Sequence, residues 1–384
     1  MKFSNFCFIL ISLLFIISSK ENIENINVEC VEKNFLPNEE NVKITGRFFQ
    51  KDDITWLIQS GSSIEFYITA YSAEIYFVGD SSINQIPSLR PRFAIYISDK
   101  LYFDYTVNEL KFIVQLFSHE TEEKTKIKVI LLSENLFGGV GIKNINTCSS
   151  NIDKKIIEPL TKKNLKIEFI GDSITCAYGV EGKNEFESFK TTTENSSKSY
   201  AYLTAEILEA DYSVVCYSGY GIISGYSRDG SKNSNGLVKD YYKQNGKNPN
   251  YPGDWDFNNH KNDIVFIHLG SNDNNYVKAN PIERNEEFIN GYYNFLQMVR
   301  EANPDSIIIC TLGTLQCDAT VDLVEQAVNN YKEEKVFFFR SPPYDINDGY
   351  GSIYHPTPIA QKKISQFASE QISQIYNNVN NLNN

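Results

Sequence analysis

The chain has 384 residues, and its 48 acidic side chains against 36 basic ones give a formal net charge of −12. That balance argues against nucleic acid or an anionic membrane surface as partner, because both are gripped by clustered Lys and Arg; neutral glycans stay compatible, and acidity by itself serves solubility. With 41% apolar and 13% aromatic residues the chain can fill packed cores, and its length exceeds the roughly 100 to 200 residues usual for one domain.

The first segment, residues 1–19, has Lys2, an apolar stretch over 6–17 and then Ser18-Ser19. This pattern predicts a secretory signal peptide, too short in its apolar part to span a bilayer. No later stretch is apolar enough for a span, so a secreted, extracellular protein with no membrane span in the mature chain is expected. Of seven cysteines, Cys7 leaves with the signal, and six remain for an oxidising compartment. Cys30 with Cys148 would tie the ends of the N-terminal domain, and Cys310 with Cys317 is a second candidate pair. Cys176 is either a buried thiol or a partner of Cys216. Asn195-Ser196-Ser197 forms a glycosylation sequon.

Between residues 25 and 150, runs at 42–49, 63–69, 74–78, 92–97, 110–117 and 126–132 alternate or carry β-branched and aromatic residues, punctuated by Gly, Ser, Asn and Asp. They predict an all-β sandwich. A polar joint follows over 151–163. From 160 to 378 the pattern becomes strand then helix: strands at 165–170, 212–217, 263–269, 306–311 and 335–339, helices at 199–209, 283–302, 320–333 and 358–376. This is the α/β signature of a doubly wound parallel sheet, flavodoxin-like in type. The Asn-rich tail from Asn377 is expected to fray.

Three pieces of this second half carry chemistry. Gly171-Asp172-Ser173-Ile174-Thr175 follows the first strand and opens a helix, where Ser173 Oγ leaves the sheet edge beside N–H groups that favour developing negative charge. Gly270-Ser271-Asn272-Asp273 ends the third strand, the edge where open α/β sheets bind ligands, and the Asn272 amide can join an oxyanion hole. His355-Pro356-Thr357 places an imidazole just before the last helix. Each has a plainer explanation, as a capping turn, an Asx turn or a loop histidine. The other three histidines lie inside a strand (His268), in the N-terminal region (His119) and in a polar loop (His260).

Together with the turn Ser218-Gly219-Tyr220-Gly221, these blocks resemble the SGNH (GDSL-type) hydrolases. A narrower likeness covers most of the chain: residues 171–179, Thr193-Glu194-Asn195, Ser199-Tyr200-Ala201, Trp255-Asp256-Phe257 and His355-Pro356 look like carbohydrate esterase family two, and Gly46-Arg47 with residues 56–68 look similar to its first strands. The resemblance implies an N-terminal jelly-roll β-sandwich joined to an SGNH catalytic domain that removes O-acetyl groups from plant polysaccharides such as acetylxylan or acetylated glucomannan. It further implies Ser173 as nucleophile, His355 as base, and an oxyanion hole made by the Ser173 N–H, the Gly221 N–H (Gly219 being the other candidate) and the Asn272 side chain.

In one respect the chain departs from that pattern. An Asp normally sits two or three residues before the histidine of such enzymes, and here those positions are Ile353 and Ser352. A backbone carbonyl, or Asp348 folding back, must then orient His355; some members of the resembled family are thought to work as a Ser-His dyad. Aromatic candidates for sugar contact are Tyr178, Tyr220, Trp255 and Tyr276, with packing as the alternative for each. Asp172 and Asp273 are read as turn braces. No His or Cys spacing asks for a metal, and no cofactor is implied. The expected partner is an acetylated polysaccharide or oligosaccharide. A lipid or thioester hydrolase of the same fold, or a catalytically impaired glycan-binding protein, are the alternatives.

Overall fold

The computed structural model describes residues 30–150 and 155–382, so the expected signal peptide lies outside the described residues. The N-terminal part is an antiparallel sheet of ten strands: β1 (Val31–Phe35), β2 (Lys43–Thr45), β3 (Phe48–Lys51), β4 (Ile54–Leu57), β5 (Ser63–Gly79), β6 (Arg92–Ile97), β7 (Lys100–Thr106), β8 (Lys111–Leu131), β9 (Val140–Ser149) and β10 (Ile157–Pro159). The sheet curls around one apolar core, in which Phe66, Phe77, Phe93, Ile127, Val129 and Leu131 are all fully buried.

Two long strands, β5 and β8, stand where the alternation predicts four short ones, and the reason is local. In β5 the inward side chains are Ile64, Phe66, Ile68 and Ala70, then Ala73, Ile75 and Phe77. The change from even to odd numbers coincides with the register shifts between Ala70 and Glu74. A β-bulge there restores the apolar set to the same face, which a straight strand would have turned outward. In β8 the polar centre, residues 118–125, reads as a turn but continues the strand. The Cys30–Cys148 disulfide ties the start of β1 to β9, its antiparallel neighbour.

The second part is a parallel sheet of β11 (Leu165–Gly171), β12 (Ala210–Cys216), β13 (Ile264–His268), β14 (Ile307–Leu312) and β15 (Val336–Arg340), in the order β12-β11-β13-β14-β15. Its helices are α1 (Ser173–Cys176), α2 (Tyr200–Ile207), α3 (Asn274–Ala279), α4 (Pro281–Ala302), α5 (Val321–Tyr331) and α6 (Pro358–Leu382). The strands are apolar on both faces, so each face needs a cover. Ile170, Val265, Ile267 and Ile308 pack with α4 and α5, while Ile167, Phe169, Phe266 and Ile309 pack with α2 and α6. This strand order reverses between β11 and β13, and ligands of such sheets bind beyond the carboxyl ends of the strands at that point. The tail expected to fray from Asn377 instead continues α6 to Leu382.

A second disulfide, Cys176–Cys216, joins α1 to β12, whereas Cys310 and Cys317 are free and buried, against the expected pair. Cys310 sits inside β14, and burial pushes its thiol pKa up to about 12. The sequon is also closed off: Asn195 is buried, its amide donating to Glu181 Oε1 at 2.9 Å. Where the two sheets meet, Arg47 is fully buried and donates to Glu168 Oε1 from Nε and Nη2 at 3.2 and 3.0 Å. Among the described residues no helix is long and apolar enough to cross a membrane.

Candidate active site

Ser173 is the first residue of α1, and Asp172 caps that helix by accepting the Ile174 N–H at 3.0 Å. The Ser173 N–H therefore belongs to the first turn, where no preceding carbonyl is placed to receive it. From the other end of the chain, His355 Nε2 stands 2.8 Å from Ser173 Oγ. Gln361, on the first turns of α6, holds the pieces together: its Nε2 donates to Ile174 O at 2.9 Å and its Oε1 accepts the Tyr200 N–H at 2.7 Å. Sequence reasoning missed Gln361, because its contacts join segments 187 and 161 residues apart.

Among the described residues, no carboxylate is hydrogen-bonded to the imidazole. Nδ1 lies 2.8 Å from Ile353 O and 3.3 Å from Ser352 O. Carbonyls only accept, so Nδ1 carries the proton and Nε2 is left to accept from Ser173. Asp348 does not fold back; its carboxylate pairs with Lys363 Nζ at 2.6 Å. Ile353 and Tyr354 both have positive φ, 51° and 58°, a conformation that costs on the order of 1–3 kcal/mol per residue and is least favourable for a β-branched one. That backbone turn aims the Ile353 carbonyl at the ring. Burial pulls the His355 pKa below its ordinary 6.5, with the carbonyls and Asp172 acting the other way, so the ring is a neutral base at neutral pH.

Asn272, after β13, reaches the same cleft. Its Nδ2 donates to Tyr220 O at 2.8 Å and lies 3.3 Å from Asp172 Oδ2, which also accepts from Ser271 Oγ. Asp273 is a brace: it accepts the N–H groups of Ile222, Ile223 and Ser224 at 2.8 to 3.1 Å. Burial raises its pKa to about 6 in spite of those three donors.

Gly221 does not offer its N–H to the cleft, because that group donates to Gly236 O at 2.9 Å. Its lack of a side chain has a steric cause: a Cβ would come within 2.0 Å of Ser224 O. Gly219 is the glycine facing the cleft. It has φ +82°, with nothing within 4 Å of where a Cβ would sit, in the turn closed by Tyr220 N–H on Tyr217 O at 3.2 Å.

The cleft has a volume of about 550 Å³ and takes in Ser173, Gly219, Asn272 and His355. Of the four aromatic candidates only Tyr178 lines it, stacked on Phe189 with ring centroids 3.7 Å apart and 4.6 Å from the His355 ring. Trp255 instead packs at the seam between the sheets, stacked on His260 at 4.5 Å with the Arg47 guanidinium 5.5 Å from its ring. Tyr220 turns its hydroxyl to Lys247 Nζ, and Tyr276 gives its own to Glu287 Oε2 at 2.8 Å beneath Arg284. Phe137, Phe189 and Tyr226, which the sequence pattern does not single out, line the cleft instead.

A larger cavity of about 640 Å³ includes Lys43, Glu65, Lys128 and Asp211, whose charges pair with one another. Among the described residues the grouping with metal-ligand spacing is Glu134, Cys176 and Glu194. Cys176 is in a disulfide and offers no thiolate, which leaves two carboxyls, a poor set for a metal.

A serine hydroxyl 2.8 Å from a neutral imidazole at the switch point of a parallel sheet is the arrangement an acylhydrolase requires. Residues 169–362 match the GDSL-like Lipase/Acylhydrolase family, and the chain belongs to that family. Over 215 residues it is 34% identical to the cellulase/esterase CelE of Acetivibrio thermocellus, a match covering 54% of this chain and 25% of that protein. The chain thus spans about a quarter of that relative. It is 24% identical over 266 residues to an acetylxylan esterase / glucomannan deacetylase of Cellvibrio japonicus, covering 68% of this chain and 70% of that one. The structure of a family two carbohydrate esterase from Clostridium thermocellum in complex with cellohexaose superimposes with a TM-score of 0.74 at 26% identity, over 87% of this chain and 98% of that one.

Proposed function

We propose that this protein is a secreted serine esterase that removes O-acetyl groups from plant-type polysaccharides, acetylxylan or acetylated glucomannan, through an acyl-enzyme at Ser173. Its jelly-roll β-sandwich domain, expected over residues 25–150, takes in β10 (Ile157–Pro159) as well, since that strand pairs with β5, and residues 160–378 are its catalytic domain. The observation that carries the reading is the 2.8 Å contact between His355 Nε2 and Ser173 Oγ. Ser173 Oγ attacks the ester carbonyl while Nε2 takes its proton; Nε2–H then protonates the departing sugar oxygen, releasing the free hydroxyl, and Nε2 later activates water to cleave the acetyl-enzyme. The oxyanion is received by the N–H groups of Ser173 and Gly219 and by the Asn272 amide, which keeps its bond to Tyr220 O and gives up the longer 3.3 Å contact with Asp172 Oδ2, with Gly219 taking the place expected for Gly221.

The missing acid is compatible with this geometry. In the template triad, loss of the Asp costs about 10⁴-fold because the imidazole takes the wrong tautomer. Here the Ile353 and Ser352 carbonyls select the same tautomer without a charge. Tyr178 on Phe189 gives a flat apolar wall for a pyranose ring beside the reacting atoms. The deacetylase name of the Cellvibrio japonicus relative and the cellohexaose in the structural neighbour support the glycan class.

The test is acetate release from a panel of acetylated xylan, acetylated glucomannan and long-chain acyl esters, with Ser173→Ala alongside. The reading expects acetate from the glycans and none from the variant. Preference for long acyl chains would make the protein a lipid hydrolase, and glycan binding without acetate release would make it a binding protein.

A further inference from the structure

Glu134 lies just after β8, in the antiparallel sheet region, yet its fully buried carboxyl reaches the catalytic turn. Its Oε2 accepts the Ser218 N–H at 2.8 Å, one residue before Gly219. Among the described residues its other oxygen has no hydrogen-bond partner, and neither has Ser218 Oγ. Glu194, also fully buried, accepts the Glu134 backbone N–H at 3.2 Å and has one unpartnered oxygen of its own. Carboxylate oxygens of the two residues lie within 4.8 Å of each other.

We propose that Glu134 and Glu194 form a one-proton carboxyl pair in which ionised Glu134 is a positioning residue, holding the Ser218–Gly219 turn so that the Gly219 N–H faces the reacting carbonyl. The inference rests on the serine-esterase reading given above. Two like charges so close in a buried space cannot both ionise, so one proton is retained between them. Burial and its neighbour push Glu194 well above the ordinary carboxylate range, while burial raises Glu134 to about 7. Glu194 therefore keeps the proton and Glu134 carries the charge. A charge-assisted bond to the Ser218 N–H is roughly twice as strong as a neutral one.

The charged and titratable groups facing Glu134 are Lys247, Asp172, Tyr178, Tyr217 and Glu194. Behind Glu194 stands Arg92, which donates to the Glu194 carbonyl at 2.9 Å and pairs with Asp104 and Glu181. The Ser218 N–H and Lys247 favour the Glu134 anion; Asp172 opposes it. Protonation of Glu134 weakens its hold on the turn, so on acidification the rate falls before His355, whose pKa lies below 6.5, takes up its own proton.

The experiment measures kcat and KM on 4-nitrophenyl acetate from pH 5 to 9, a probe independent of the glycan. Glu134→Ala is expected to lower kcat about tenfold or more with KM within about twofold, as for loss of oxyanion stabilisation. Glu134→Gln, whose neutral amide oxygen accepts the Ser218 N–H in a weaker bond, is expected to recover only part of that loss at pH 8. Its rising limb moves to lower pH than the parent's, where His355 alone sets it. Glu194→Gln, neutral like the protonated acid it replaces, is expected to leave the limb where it is in the parent. A Glu134→Ala kcat within twofold of the parent, or a Glu134→Gln profile overlaying it, overturns the proposal. Should Glu134→Ala not fold, the Gln profile decides. Ser173→Ala runs in parallel: activity surviving there sinks the serine reading itself, a failure distinct from unaltered Glu134 variants beside a dead Ser173→Ala.

Discussion

Glu168 and Glu134 are both fully buried carboxyls at the seam between the antiparallel and parallel sheets, and their surroundings differ. Glu168 is filled on both oxygens, by Arg47 and Ser213 Oγ on one and by the Tyr242 hydroxyl at 3.0 Å on the other. Arg47 in turn donates to the carbonyls of Tyr242 and Gln244 and lies 5.0 to 5.5 Å from three aromatic rings. Glu134 is held on one oxygen only, beside the cleft. A buried charge with every site filled fixes how two sheets meet, whereas one left partly unfilled keeps a proton equilibrium within reach of neutral pH.

If the cleft side of the seam serves chemistry and the Glu168 side serves stability, substitutions on the two sides should separate cleanly. Ser173→Ala and His355→Ala should each lower acetate release by at least about 10⁴-fold with no shift in the urea midpoint; a fall in the midpoint alongside the activity would mean that these side chains hold the fold. Asn272→Ala should cost roughly 100 to 1000-fold in kcat, read against an unchanged KM. On the other side of the seam, Arg47→Ala should lose about 3–5 kcal/mol by stranding the charge of Glu168, measured by urea unfolding, with the folded fraction still active. Trp255→Ala should likewise cost about 3–5 kcal/mol and leave KM for acetylated glucomannan within twofold; a large rise in KM would return Trp255 to the substrate. Smallest of all, Asp348→Asn removes the charge of a largely buried side chain paired with a half-exposed lysine; kcat should stay close to the parent's because Asp348 does not touch His355, and the urea midpoint should fall only slightly because the isosteric amide oxygen still accepts from Lys363.

Ser173, Asn272 and His355 are legible in the sequence because each stands where a strand ends or a helix begins, and a parallel sheet sends those points to one edge. Gly221 misleads for a physical reason: glycine is demanded there by the close approach of Ser224 O, not by its N–H. The four aromatic candidates share one chemistry and occupy four different environments, and only long-range packing separates Tyr178 from Trp255. Glu134 leaves no local signal, since its role depends on Ser218, 84 residues away. In the same way, the bulge in β5 hides one long strand behind a change of phase.

Whether Ser173 is made nucleophilic by an imidazole that backbone carbonyls orient is tested most directly with a serine-reactive phosphonate followed by mass spectrometry of the peptides. One adduct is predicted, on Ser173, formed in the parent and in Asp348→Asn and lost in His355→Ala. Labelling elsewhere, or equal labelling of Ser173 without His355, would contradict it.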